Sequence, residues 1–251
     1  MEDAGRMRLL VVNGNRTTAV TERAVQVARR AAAAGTEVCG ATARFGADYV
    51  RSRADEAIAA HAVLDALAQH AGAFDAAVLA ISLDSGLWAA RQLLPVPIVG
   101  MTESALYLAC QLAERVGVIT SGIETTPLYL DLFQRYGVQS RIAALRTLDT
   151  SRHADPLPSQ DLLAMLREEA GALASDAGIG CIVLCGAVHA GLAEHIAPSL
   201  EVPILDCMKV AVAQAEVLAR LQPTGGRRTL ARGLQLAGLS PELLRLFQQS
   251  S

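Results

Sequence analysis

The chain has 251 residues, of which 52% are hydrophobic and 19% charged, and its formal net charge is −3 at pH 7. This length and composition exclude an intrinsically disordered chain and allow a full apolar core without disulfide support. The small negative charge argues against a dedicated binder of nucleic acid or of anionic membranes, so we expect neither as a partner.

Short apolar runs alternate with longer amphipathic stretches along the whole chain. The apolar runs predict the strands Arg8–Asn13, Thr36–Thr42, Ala76–Ser82, Pro97–Met101, Val116–Thr120, Arg141–Leu148, Cys181–Cys185 and Pro203–Leu205. The amphipathic stretches predict the helices Thr18–Ala34, Ala54–His70, Gly86–Leu93, Glu103–Glu114, Thr126–Tyr136, Ser159–Ser175, His189–Ala197, Val210–Leu221 and Pro241–Phe247. Apolar strands that alternate with helices are typical of parallel sheets covered on both faces, so we predict an α/β fold. Residues 151–159 form the most loop-like interior stretch, and residues 223–228 are predicted to form a surface loop.

The two halves of the chain carry similar motifs. In each half an apolar strand ends in a loop of small residues, a helix follows, and then comes Val-Pro-Ile, at Val96–Ile98 and at Val202–Ile204. We therefore predict two pseudo-symmetric Rossmann-like lobes with mostly parallel sheets and a cleft between them, at the carboxyl ends of the strands. The first lobe is predicted to comprise residues 1–102 plus 210–251, and the second residues 103–209.

The five cysteines are an odd number, and no pair has the spacing of a zinc ribbon. The first residues lack the order of a signal peptide, and the apolar runs are too short to cross a membrane. We therefore expect reduced thiols, a cytoplasmic protein and no metal site. The glycine motifs of phosphate-binding and dinucleotide-binding loops do not occur in the sequence.

Polar residues follow the first strand of each predicted half. Asn13 and Asn15 precede a helix, and their amides suit a carboxylate or an imide. Thr120 and Ser121 hold the equivalent place in the second half. We predict that all four residues bind substrate, and the alternative interpretation is that they form helix caps and tight turns.

A second pair of candidates follows the later strand of each half. Cys185 is followed by Gly186 and a predicted helix start, where a thiol has a lowered pKa and serves as base, acid or nucleophile. His189 is a candidate general acid or base, or else a solvent-facing residue of the first helical turn. In the first half, Ser82 is a candidate for binding an oxyanion, and Asp84 is either a helix cap or a substrate contact.

Taken in order, these motifs resemble the aspartate/glutamate racemase superfamily, most closely its hydantoin or allantoin racemase branch. The resemblance covers nearly the whole chain and rests on Asn13-Gly-Asn15, Asp55–Ala57, Asp75–Ala80, Asp84–Arg91, Pro97–Glu103, Val118–Thr120, Pro127, Tyr136-Gly137, Arg141, Val202–Asp206 and Ala213–Glu216. It implies two pseudo-symmetric lobes, no cofactor, a small-molecule substrate and a homo-oligomer.

The family mechanism implied by the resemblance uses two cysteines on opposite faces of the substrate. One thiolate removes the proton next to a carbonyl group, and the other thiol returns a proton from the far side. This sequence departs from that pattern, because Ile81 stands at the first cysteine position. An ungapped match places Gly186 at the second position, with Cys185 one residue early, whereas a match with a one-residue gap places Cys185 there.

We therefore expect a cofactor-independent, racemase-like isomerase with single-thiol chemistry, in which Cys185 transfers a proton and His189 assists. Its predicted substrate is a small hydantoin-, amino-acid- or carboxylate-like molecule, bound by Asn13, Asn15, Ser82, Asp84, Thr120, Ser121 and Gly186. One alternative is a one-sided lyase, decarboxylase or cyclase, because arylmalonate decarboxylase of the same superfamily resembles this chain in using one cysteine. The other alternative is a non-catalytic ligand-binding relative, which a Cys185 thiol packed in the core would favour.

Overall fold

The computed structural model of the chain describes residues 6–149, 159–221 and 236–249. Within these residues the strands form two four-stranded parallel sheets. The first sheet contains β1 (Met7–Asn13), β2 (Thr36–Thr42), β3 (Ala76–Leu79) and β4 (Ile98–Gly100), in the order β2-β1-β3-β4. The second contains β5 (Val116–Ser121), β6 (Ile142–Leu148), β7 (Cys181–Leu184) and β8 (Ile204–Asp206), in the order β6-β5-β7-β8. The two sheets thus repeat one topology, and the predicted α/β fold with an internal repeat is confirmed.

Helices follow or connect the strands throughout the described chain. They are α1 (Thr18–Ala31), α2 (Arg53–Gln69), α3 (Leu87–Leu93), α4 (Met101–Leu112), α5 (Thr126–Arg135), α6 (Gln160–Ala174), α7 (Ala193–Ile196), α8 (Cys207–Leu221) and α9 (Pro241–Gln249). With one exception they agree with the predicted helices apart from small shifts at their ends. The α1 helix shows why the sequence pattern predicts the helices: its apolar residues recur on one face, which is buried against the sheet.

The exception is the predicted helix His189–Ala197, which is wrong. The chain forms a 3₁₀ turn at Ala187–His189, the single turn of α7 and a second 3₁₀ turn at Ala197–Ser199. Gly191 between them has a φ of +80°, a left-handed conformation that interrupts a right-handed helix. Pro198 lacks the N–H that a continuing helix requires.

Alternation along the strands divides the interior into three apolar clusters. Leu9 and Val11 of β1 face a core shared by both sheets, whereas Leu10 and Val12 face the outer side of the first sheet. The shared core also receives the inward residues of β5 and β7 and one face of α8. A third cluster covers the outer side of the second sheet. Because one core joins the two sheets, their carboxyl ends hold a fixed relation to each other.

The described residues bear only partly on the predicted organisation of the chain. The predicted loop 151–159 lies almost wholly outside them, as does the predicted loop 223–228. The α9 helix packs on α2 beside the first sheet. The predicted lobe boundaries, 1–102 plus 210–251 and 103–209, stay a prediction.

Candidate active site

Loops from both sheets line one cavity of about 120 Å³ at the carboxyl ends of the strands. Because all strands are parallel, the segments that follow β1, β3, β5 and β7 emerge at these edges and converge there. The volume accommodates a small molecule rather than a single water. Of the residues that the sequence predicts for the site, those that line the cavity are Asn15, Ser82, Thr120, Ser121, Gly186 and His189.

The two asparagines after β1 have different positions. Asn13 is fully buried, and its side chain shapes the loop: Nδ2 donates to Asn15 Oδ1 at 2.9 Å and to Thr21 Oγ1 at 3.0 Å. Asn15 lines the cavity, and its Oδ1 also accepts the Thr17 backbone N–H at 2.9 Å. Because a backbone N–H can only donate, that bond fixes the orientation of the Asn15 amide. The Asn15 Nδ2 group has no partner among the described residues, so it is the part of this loop available to a ligand.

Ile81 packs directly beneath the asparagine loop. A Cβ atom added to Gly14 would lie 2.6 Å from Ile81 Cδ1 and 2.8 Å from Val63 Cγ2. The loop therefore approaches the segment after β3 so closely that a side chain at position 14 would displace the ends of Ile81 and Val63. Ile81 contributes an apolar part of the cavity wall and belongs to the outer core of the first sheet.

Ser121 and His189 form a hydrogen-bonded pair on the cavity wall. Ser121 Oγ lies 2.8 Å from His189 Nε2, and His189 Nδ1 lies 2.6 Å from the Cys185 carbonyl oxygen. A carbonyl oxygen only accepts, so Nδ1 carries the proton and Nε2 accepts the Ser121 hydroxyl. Burial lowers the pKa of His189 to about 4, although the bond to the Cys185 carbonyl acts in the opposite direction. The imidazole is therefore neutral at pH 7, in one defined tautomer.

The Cys185 thiol lies in the core shared by the two sheets and is not among the residues that line the cavity. It continues the inward alternation of Cys181 and Val183 along β7. Burial raises its pKa to about 12, with a smaller opposing effect from a hydrogen bond with the Thr102 side chain. The expected lowered pKa is wrong, because a 3₁₀ turn follows Gly186 in place of an α-helix and the thiol is desolvated. Only the backbone carbonyl of Cys185 serves the cavity, through His189.

Gly186 lines the cavity with a φ of +113°, a region that side chains disfavour. A Cβ atom at this position would lie 3.3 Å from His189 Nδ1 and 3.5 Å from Ser82 Oγ. The Ser82 hydroxyl and the His189 ring thus approach from the loops after β3 and β7. Because β3 ends at Leu79 rather than at Ser82, strand alternation does not dictate the direction of Ser82.

Tyr129 on α5 is a cavity residue that the sequence analysis missed. Thr120 Oγ1 donates to its hydroxyl at 2.8 Å, and Ser82 also hydrogen-bonds with it. Burial raises the pKa of Tyr129 well above its ordinary value, so the phenol is neutral at pH 7. Nothing marks this tyrosine in the sequence, because its distance to Ser82 depends on the packing of the two sheets.

Asp84 lies away from the cavity and caps α4. Its carboxylate accepts the backbone N–H groups of Thr102 and Glu103 at 3.2 and 2.8 Å and the Tyr136 hydroxyl at 2.7 Å. Burial raises the pKa of Asp84 to about 7, and the three hydrogen bonds oppose that shift. Asp84 has a φ of +49°, and Gly100 has no room for a side chain because a Cβ atom there would lie 2.5 Å from the carboxyl carbon. Of the two interpretations of Asp84, the helix cap therefore fits. The helix that it caps is α4, which lies farther along the chain than the helix that directly follows Asp84.

Arg51 also lines the cavity, although the sequence did not predict it as a site residue. It is the charged side chain among the described lining residues. Its guanidinium lies 3.3 Å from Glu124 and 5.4 Å from the centre of the Tyr49 ring. His189 is the one residue of a metal-binding type among the described lining residues. Among the helices of the described part of the chain, none is both long and apolar enough to cross a membrane.

The fold is that of a two-lobed α/β protein with a cavity of small-molecule size at the carboxyl ends of two equivalent sheets. Residues 9–215 match the family described as Asp/Glu/Hydantoin racemase. The chain therefore belongs to the Asp/Glu/hydantoin racemase family and is an isomerase of the racemase class.

Individual relatives agree with this assignment. A hydantoin racemase from Pseudomonas sp. (strain NS671) is 31% identical over 221 residues, which cover 86% of this chain and 87% of the relative. A hydantoin racemase from Rhizobium meliloti is 30% identical over 216 residues, with 84% and 88% covered. The solved structure of an allantoin racemase from Klebsiella pneumoniae superposes with a TM-score of 0.87 at 30% identity, covering 94% of this chain and 98% of that one.

Proposed function

We propose that this isomerase moves a proton at a carbon next to a carbonyl group in a small cyclic ureide of the hydantoin or allantoin kind. The substrate class comes from the named relatives, and it suits a cavity of about 120 Å³. The observation that carries the proposal is the neutral His189 imidazole, whose Nε2 lone pair lies on the cavity wall. We assign proton transfer to His189 and no longer to Cys185.

Departure from the two-cysteine pattern supports this assignment. Ile81 stands where the family resemblance places the first thiol. The second position is Gly186 in an ungapped match or Cys185 with a one-residue gap, but the Cys185 thiol lies in the core. Neither an alkyl side chain nor a glycine can exchange a proton. Among the described lining residues, His189 is the side chain that offers an unprotonated ring nitrogen as a proton acceptor at neutral pH.

We assign binding of the substrate carbonyl oxygens to the polar groups around the histidine. The free Nδ2 group of Asn15 and the Ser82 hydroxyl supply hydrogen bonds that strengthen as negative charge develops on an enolate oxygen. The Tyr129 hydroxyl, held by Thr120, supports Ser82 from below. Arg51 favours a polar or anionic substituent at its side of the cavity.

In the proposed reaction the Ser121 hydroxyl turns away and Nε2 takes the carbon-bound proton. The bond from Nδ1–H to the Cys185 carbonyl holds the ring in place and stabilises the imidazolium. Return of a proton from Nε2 to the same face restores the starting enantiomer with a solvent hydrogen. Delivery of a proton from water to the opposite face inverts the carbon, and the imidazolium then releases its proton to solvent. Because the base stands on one side, we expect exchange of the carbon-bound hydrogen with solvent to be faster than inversion.

The test is proton exchange in deuterium oxide, followed by NMR together with optical rotation, on 5-substituted hydantoins and allantoin. A reaction without enzyme gives the spontaneous rate. His189→Asn keeps a donor for the Cys185 carbonyl but removes the base, so we expect exchange to fall by about 10²-fold or more. Cys185→Ala is the matched control and is expected to keep its activity. Full exchange in His189→Asn, or loss of exchange in Cys185→Ala, would sink the assignment.

A decarboxylase is the second candidate, and the one-sided base favours it. Decarboxylation needs a proton on one face of the carbanion only, whereas racemisation needs both. Release of carbon dioxide from substituted malonates, with a product of one handedness, would select this candidate over the racemase. Turnover of none of these compounds would favour the ligand-binding relative. The expected homo-oligomer and the cytoplasmic location stay predictions.

A further inference from the structure

We propose that Ser121 is also a nucleophile, activated by His189, and that the chain hydrolyses small activated acyl compounds through an acyl-enzyme. The activity goes beyond proton transfer at carbon, because it needs an electrophilic carbonyl group and no acidic C–H bond. Its substrates are small esters and strained or activated cyclic imides that fit the same cavity.

The geometry has the three parts of an activated nucleophile. The Ser121 hydroxyl donates to Nε2 at 2.8 Å, and Nδ1–H donates to the Cys185 carbonyl at 2.6 Å. A nucleophile, a base within hydrogen-bond reach and a third group that orients the base are the features that activated serines share. Here the Cys185 backbone carbonyl orients the His189 ring, and it fixes the tautomer in which Nε2 accepts the serine proton.

The local backbone presents Ser121 to the cavity. Ser121 is the last residue of β5, and the chain turns sharply at Gly122, which has a φ of +86°. A 3₁₀ turn at Ile123–Thr125 and then α5 follow. A serine between a strand end and a helix, on a turn that requires glycine, is placed with its hydroxyl at the sheet edge. Ser121 is half-buried and lines the cavity, whereas the base behind it is almost fully buried.

The proposed acylation balances without an oxidant or a reductant. Ser121 Oγ forms a bond to the acyl carbon while its proton passes to His189 Nε2. The bond to the leaving group then breaks, and that group takes the proton from Nε2. Water attacks the acyl-serine ester, again through Nε2, and releases the acid and the free hydroxyl. The Asn15 Nδ2 group lines the same cavity and is available for the oxyanion.

The test uses p-nitrophenyl acetate with the full chain. We expect a burst of p-nitrophenolate that approaches one equivalent per chain, and an acetyl group on the peptide that contains Ser121. Ser121→Ala is expected to lower the burst at least about tenfold, and His189→Asn to slow acylation by about 10²-fold or more. Ser121→Cys keeps a nucleophile and is expected to be acetylated. Ser175→Ala, a change at an exposed serine on the end of α6, serves as the control and is expected to leave the burst intact.

Three outcomes would overturn the inference: no acetyl group on Ser121 in the wild-type chain, acetylation at the exposed Cys39 or at Lys209 in its place, or an undiminished burst in Ser121→Ala. Failure of the proposed isomerase is distinguishable from these outcomes. Ser121→Ala keeps the Nε2 lone pair, so hydrogen exchange on hydantoins is expected to fall by less than about tenfold in that variant. Hydrogen exchange on hydantoins without acylation of Ser121 would overturn the proposed nucleophile and leave the proposed isomerase standing. Acylation of Ser121 without hydrogen exchange would overturn the isomerase and leave the nucleophile standing.

Discussion

The Arg23 guanidinium donates two hydrogen bonds, of 3.0 and 2.7 Å, to the carbonyl oxygen of Ala190. Arg23 lies on α1, which the asparagine loop of the first sheet opens, and Ala190 directly follows His189 in the second sheet's loop. The pair therefore ties the two sides of the cavity together. Its positive charge also contributes to the lowered pKa of His189.

Arg23→Met keeps the apolar stem and removes both bonds and the charge. We expect a loss of about 1–3 kcal/mol in the free energy of unfolding, measured with urea, because a charge-assisted donor to a backbone carbonyl is removed. The pKa of His189 is expected to rise, measured by NMR titration of the imidazole. Arg167→Met removes one long bond of 3.4 Å to the His195 carbonyl at the surface and is the control, expected to change little. Equal losses of unfolding free energy in the two variants would contradict the stabilising role assigned to the Arg23–Ala190 bonds.

The buried His189 makes stability depend on pH. Its folded pKa of about 4 lies below the unfolded value of 6.5, so between these values the unfolded chain binds the proton and the folded chain does not. We therefore expect His189 to cost about 3 kcal/mol of stability as the pH falls from 6.5 to 4, and nothing above 6.5. Urea unfolding of the wild type and of His189→Asn at pH 7.5 and pH 4.5 measures this, since other titrating groups cancel in the comparison.

Asp84 is one such group, and it acts with the opposite sign, since its raised folded pKa makes stability fall as the pH rises from 3.8 to about 7. A wild-type chain that kept its stability relative to His189→Asn at pH 4.5 would contradict the buried neutral histidine. Activity that depends on neutral His189 is likewise expected to persist down to about pH 5, below the range of an ordinary histidine.

The cap that Asp84 provides for α4 predicts an order of stabilities. Tyr136→Phe removes one hydrogen bond to the carboxylate and is expected to cost about 1 kcal/mol. Asp84→Ala leaves two backbone N–H groups and the tyrosine hydroxyl without an acceptor and places alanine at a φ of +49°, so we expect a loss of about 3 kcal/mol or more. Thermal or urea unfolding of both variants measures the difference, and a smaller loss in Asp84→Ala would reverse the predicted order.

Gly186→Ala tests the tight contact beside the histidine. Backbone strain at a φ of +113° and a Cβ atom 3.3 Å from His189 Nδ1 are expected to cost about 2 kcal/mol and to disturb the Ser121–His189 pair. Gly72→Ala is the matched control, because Gly72 has a φ of +81° with nothing within 4 Å of the added atom, so it reports strain alone. Equal losses of stability and unchanged activity in both variants would show that the contact at Gly186 is unimportant.

The sequence by itself determined the fold. Strands such as β1, predicted at Arg8–Asn13 and found at Met7–Asn13, are apolar segments that local sequence alone reveals. The helices with one buried face are local patterns of the same kind. The Val-Pro-Ile repeat at the start of β4 and β8 indicated that the two sheets share one topology. Parallel strands place the loops that follow them at the same edge, and the polar loops at Asn15 and Thr120 therefore meet in one cavity.

Only the tertiary structure decided which side chains face that cavity. Successive residues at a strand end point to opposite faces, so a shift of one residue decides whether a side chain faces the core or the cavity. Cys185 continues the inward face of β7, whereas Gly186 lines the cavity. Asn13 and Asn15 look alike in the sequence, but hydrogen bonds within the loop bury one and leave the amide of the other accessible. Ser121 and His189 are 68 residues apart, and their pairing follows from the adjacency of β5 and β7 in the second sheet. Burial then sets the protonation of His189, because desolvation depends on everything packed around a group and not on its neighbours in the chain.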